Sequence, residues 1–161
     1  MGQFASVNDA TVTQGGVYFT PGMYVIKVLA TKTSKSARNG RDYFIVECEV
    51  VESSNPADWP VGAHASQVID ISNIMGPVNI KAFVCAASDV NPLAEDADAQ
   101  VLTAWNTALP SAAPWTFEKI CEYAIAQNCF EDVILDLECV NIKTKANKDF
   151  TKHLWTPRAA A

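Results

Sequence analysis

The chain has 161 residues, 49% of them hydrophobic and 19% charged, and a formal net charge of −6. That length suits one domain with its own core, and the composition excludes a disordered or fibrous protein. No apolar run approaches the roughly 20 residues of a membrane-crossing helix, so a single globular, cytoplasmic domain over 1–161 with no membrane partner is expected.

Residues 1–16 are polar, end in Gly15-Gly16 and read as a flexible arm without the regions of a secretory signal. "PGMYVIKVLATK" then alternates: Tyr24, Ile26, Val28 and Ala30 share one face, and Met23, Val25, Lys27 and Leu29 the other. Asn39-Gly40 supplies turn chemistry. "DYFIVECEVVES" follows as a second strand, with Phe44, Val46, Cys48 and Val50 opposite Glu47 and Glu49. These segments predict a long hairpin from Gly22 to Ser53. A loop rich in Pro, Gly and Asn leads to a weaker third strand over about Ala65 to Ile74.

Helical spacing takes over after that. Pro77–Ser88 begins with proline and spaces Val78, Ala82, Phe83 and Ala86 along one face. "NPLAEDADAQVLTAWNTALP" has an acidic first turn and then Val101, Leu102, Trp105 and Leu109 on one side. "PWTFEKICEYAIAQN" gives a third helix with Thr116 as N-cap and Asn128 near its end. "DVILDLECVNIKTK" and "FTKHLWTP" then form a second hairpin. The fold expected is α+β: a five-stranded OB-like Greek-key β-barrel with an enlarged helical insertion, 75–130, between strands 3 and 4.

The charge is unevenly distributed. Lys27 to Phe44 holds five cations (Lys27, Lys32, Lys35, Arg38, Arg41) and one anion, Asp42. Val140 to Ala161 holds five more (Lys143, Lys145, Lys148, Lys152, Arg158) against Asp149. Ile45 to Cys139 has fifteen acidic residues and only Lys81 and Lys119. Net charge therefore hides a separation, and a positive groove can sit on an acidic body. The OB reading brings both hairpin tips to one side of the barrel, flanking the face that binds oligonucleotides. Aromatic residues accompany the cations: Tyr43 and Phe44 after the first tip; Phe150, His153 and Trp155 after the second. Alternation lets only one of Tyr43 and Phe44 line the groove; Tyr43 is expected outside and Phe44 in the core. Bases stack on such rings in single-strand binders.

"PGMYVIKVLATKTSKSARNGRDYFIVECEVVES" and "VILDLECVNIKTKANKDFTKHLWTP" resemble the two hairpins of phage-type single-stranded DNA-binding proteins with an OB-fold. The resemblance is one of pattern over about 60 residues. It implies sequence-independent coating of single-stranded DNA in replication or recombination. Lys32, Lys35, Arg38, Arg41, Tyr43, Lys145, Lys148, Lys152 and Trp155 then become candidates for DNA contact, and Lys143 joins them from the charge pattern. The C-terminal "TPRAAA" departs from the acidic tail that many such proteins carry. The acidic helical insertion is therefore the expected contact for replication or recombination proteins.

No enzyme activity, cofactor or metal is expected. There is no Gly-rich phosphate loop, HExxH or GxSxG. Glu95, Asp96 and Asp98 suit a helix N-terminus, where the dipole stabilises carboxylates. The five cysteines show no CxxC pair, and most fall among apolar neighbours as small core residues in a reducing compartment. Two rival readings remain: a virion or assembly protein using the barrel for protein contacts, and a carbohydrate- or peptide-binding barrel.

Overall fold

The computed structural model describes residues 19–143 and 149–158, with the backbone alone for Asp149 and Phe150. The expected arm, 1–16, and the candidate contacts Lys145 and Lys148 lie outside the described residues. Five strands form one antiparallel sheet: β1 (Gly22–Lys35), β2 (Asp42–Ser53), β3 (His64–Asp70), β4 (Ile134–Lys143) and β5 (Asp149–Pro157), in the order β3-β2-β1-β4-β5. Between β3 and β4 run α1 (Gly76–Ala87), α2 (Ala97–Ala108), a short 3-10 turn (Pro110–Ala112) and α3 (Phe117–Gln127). The architecture is α+β, an open five-stranded sheet with three helices inserted. Among the described residues, no helix is long and apolar enough to cross a membrane.

The period-2 pattern translates directly into burial. Tyr24, Ile26 and Val28 of β1, Phe44, Val46, Cys48 and Val50 of β2, Ala65 and Ile69 of β3, Leu135, Leu137 and Cys139 of β4 and Trp155 of β5 face one core. At roughly 1.5–3 kcal/mol for each large apolar side chain, this face supplies most of the drive to fold. Phe83 of α1 joins it, with ring centroids 6.1 Å from Phe44, 5.8 Å from Phe130 and 5.3 Å from Trp155. A second aromatic group, Trp105, Trp115 and Tyr123, packs α2 onto α3 and meets Phe130. All four indole N–H groups donate to an acceptor: Thr20 Oγ1, Ser88 Oγ, the Leu109 carbonyl and Gln67 Oε1. That removes the polar cost of burying them.

Three local features shape the sheet. β1 carries irregularities in its pairing with β2 between Val25 and Ile26 and between Val28 and Ala30. Such bulges bend a strand and strip groups from the ladder. Asn128 serves the second one: its Oδ1 accepts from the Thr31 N–H (3.3 Å), and its Nδ2 donates to the Leu29 carbonyl (3.1 Å) and to Glu131 (2.8 Å). Asn128 does so from the left-handed C-cap of α3 (φ 48°), a conformation asparagine tolerates. At the other end of α3, Thr116 Oγ1 accepts from the Lys119 N–H, as the sequence implied.

The third strand is shorter than expected, ending at Asp70. The Asp70 carboxylate accepts from the Ser72 N–H (2.9 Å) and hydroxyl (2.7 Å), and Asn73 Oδ1 accepts from the Met75 N–H (2.9 Å). These Asx turns give the backbone an alternative to the ladder. Gly76 then starts α1 with its Cα against the Asp70 carbonyl, where any Cβ would collide. α1 is thereby set tightly against the end of β3.

Candidate nucleic-acid interface

Strand direction corrects one expectation. β1 runs from Gly22 toward the first tip at Lys35. β4 runs oppositely: Gly22 pairs with Cys139, and β4 continues past that pair to Lys143 and the second tip. Measured along β1 the two tips point to opposite ends, separated by roughly 40 Å of strand between Gly22 and Lys35. The sheet, however, curls. Trp155 of β5 donates its indole N–H to Gln67 Oε1 of β3 at 2.8 Å, joining the two outermost strands through buried side chains. The same curl opens a cleft of about 750 Å³ between those strands. Val68, Ile69 and Asp70 line it from β3, Ile142, Thr151 and Lys152 from the second hairpin, and Met75, Gly76 and Asn79 from the start of α1. The end of β3 that pairs with the tip side of β2 thus shares a cleft with the second hairpin.

Arg41 of the first tip reaches that cleft through Asp70, Nη1 to Oδ2 at 2.8 Å. Ser72, and then Arg41, hold the Asp70 carboxyl below the usual carboxylate range. Lys152 stands exposed on the opposite rim. His153 and Phe19 complete the lining, with ring centroids 6.1 Å apart. Burial pushes His153 down to about 4, and its Nε2 is buried without a hydrogen-bond partner. The imidazole is therefore neutral at pH 7 and part of an apolar wall.

The other candidates divide. Tyr43 is half-buried and Phe44 buried, as alternation required. Tyr43 lies opposite Asp70 in register, beside the cleft. Trp155 is a correction: it is 2% exposed, packed on Phe83 and bonded to Gln67, so its ring is a core element with no face for a base. Position on the inner face decided this, because the cross-strand pair Leu137–Trp155 points into the core. The cations of the first hairpin are mostly matched by acids. Lys27 meets Glu49 (3.4 Å), Lys32 meets Glu47 (2.7 Å) and Lys35 meets Asp42 (3.8 Å). The Lys27–Phe44 window counted Asp42 but not the other partners, because Glu47 and Glu49 fall just beyond it and Asp70 comes from β3. Exposed pairs of this kind contribute about 0–1 kcal/mol each, so a phosphate can displace a carboxylate from them at little cost. Arg38 and Lys143 are both exposed at the tips.

Asp70, Asn73 and Asn79 carry the polar side of the cleft, and the sequence reading did not single them out. The turn-rich "DISN" at Asp70–Asn73 was the available signal. Of the acidic residues at the start of α2, Asp96 accepts from Gln100 (2.7 Å), and Asp98 pairs with Lys81 (2.7 Å). Cys48, Cys85 and Cys139 are buried, and burial raises their thiols, Cys139 to about 12. Compared with known proteins, the chain matches no protein-family model and no curated protein.

Proposed function

We propose that the protein binds single-stranded DNA without sequence preference, as a coating protein of replication or recombination, on an OB-type curled sheet. The OB assignment is supported by the strand order, by helices inserted between β3 and β4, and by the Trp155–Gln67 bridge between the outermost strands. One observation carries the function: the end of β3 that holds Arg41 of the first basic hairpin through Asp70, and the second basic hairpin with Lys152, line a single cleft from opposite sides. A strand crossing that cleft would run between cationic arms, with Tyr43 as the stacking ring beside it. Each phosphate met by Lys or Arg releases counterions, with a slope of about −0.7 per contact.

The test is a fluorescence titration of a labelled oligo-dT at low and moderate salt. Four contacts predict a drop of roughly fifty-fold in affinity for a fourfold rise in salt. Lys35→Glu, Arg38→Glu and Lys152→Glu together should nearly abolish binding while leaving the circular dichroism spectrum unchanged. Tight binding by that variant, or wild-type binding indifferent to salt, defeats the proposal. The ion-paired state of the first hairpin favours a second reading, an assembly protein whose lysines keep the sheet surface solvated. The absence of any oligo-dT binding at low salt would decide for it.

A further inference from the structure

The Arg41–Asp70 pair is built differently from the lysine pairs of the first hairpin. The carboxylates facing Lys32 and Lys35 are open to water, with 38% and 59% of their side chains exposed. The Asp70 side chain is 18% exposed, and both of its oxygens are engaged. Its Oδ1 accepts from the Ser72 N–H and hydroxyl; its Oδ2 accepts from Arg41 Nη1. The backbone beneath is fixed as well. The Ile71 N–H donates to the Asp42 carbonyl (3.0 Å), and Gly76 packs against the Asp70 carbonyl. Arg41 is also held at its main chain: its N–H donates to Asn39 Oδ1 (2.9 Å), and its carbonyl accepts from the Ser36 N–H (2.9 Å).

A guanidinium carries several N–H donors in a rigid fork, so one Arg can hold a carboxylate and meet a phosphate together. A lysine ammonium is a point charge on a flexible stem, and pairing fixes its orientation far less. Asp70 itself lines the cleft, with Lys152 across from it. A carboxylate there repels a polyanion unless it serves another purpose. We infer that Asp70 is a positioning residue: it holds Arg41 as a preset phosphate contact at the edge of the cleft, whereas Lys32 and Lys35 leave their carboxylates to meet the strand. This inference rests on the single-stranded DNA reading. It adds that the affinity of the cleft depends on an acid placed inside it, because a side chain ordered beforehand need not be ordered at binding.

Asp70→Asn separates the two uses of the side chain. An amide oxygen at the Oδ1 position still serves Ser72 and keeps the turn, while the amide nitrogen offers Arg41 no acceptor. Near-ultraviolet circular dichroism should be unchanged. Repulsion alone predicts that removing this negative charge tightens oligo-dT binding. Positioning predicts the reverse, a weakening of about two- to tenfold, the cost of ordering one long side chain at binding. Placed in an Arg41→Ala chain, the same change should weaken nothing further. Equal or tighter binding by Asp70→Asn overturns the inference, as does an undiminished loss in the Arg41→Ala background. Without DNA, nitrogen relaxation of the Arg41 guanidinium should report an ordered side chain in the wild type and a mobile one in Asp70→Asn; equal mobility in the two also overturns it. A wild type that ignores oligo-dT at low salt defeats the DNA reading itself, and the positioning role falls with it.

Discussion

His153 should make the protein acid-sensitive over a defined window. In an unfolded chain the imidazole titrates near 6.5; in the fold, burial against Phe19 and Trp155 lowers it to about 4. Between those values the unfolded state binds a proton that the folded state refuses. The contribution is complete above the unfolded value and is lost as pH falls toward the folded one. Integrating the difference from about pH 7.5 gives a loss of about 2 kcal/mol by about pH 5 and about 3 kcal/mol by about pH 4. Most surface carboxylates stay ionised at the first of these, so the histidine dominates there. The assay is urea unfolding at both ends of the window for wild type and for His153→Leu, which keeps the apolar contacts and cannot titrate. The wild type should lose about 2 kcal/mol more than the variant. Equal losses would show that His153 charges in place and that its burial exerts no such penalty.

The bridge between the outermost strands can be isolated by a double-mutant cycle. Gln67→Leu strands a buried indole N–H and should cost about 1–3 kcal/mol, whereas adding Trp155→Phe should cost less than the sum of the two single changes, read by urea unfolding; strict additivity would show that the bond carries nothing. Asn128→Ala removes the groups serving Leu29 and Thr31 and puts alanine at positive φ; it should lower stability by about 1–3 kcal/mol in thermal unfolding. Asn128→Gly should recover only the smaller, conformational share, so full recovery by glycine would mean the side-chain bonds are idle.

The sequence made the elements legible because each was periodic and punctuated. Alternating Tyr24, Ile26 and Val28 against Lys27 defined β1, and Thr116 and Asn128 bounded α3 at the caps later observed. The end of β3 was misjudged because "DISN" competes for the backbone through side chains, a signal that strand propensity ignores. The electrostatics were less legible. A run of cations is local in sequence, but much of its neutralisation came from the facing strand, so the tally of Lys27 and Lys32 changed once Glu49 and Glu47 stood opposite. Trp155 failed for a related reason: an aromatic beside lysines looks like a stacking platform until the register turns it inward.

The free border of β1 has a consequence of its own. Its partnership with β4 covers Gly22 to Lys27, and Asn128 extends the support to Thr31. From Lys32 to Lys35 the described partner is β2 alone, leaving one row of main-chain donors and acceptors open to water. Such a row is a template on which a neighbouring molecule could stack, and long lysine side chains are a common guard against that. The lysines at either end of this stretch stand where such a guard is needed, whatever else they touch.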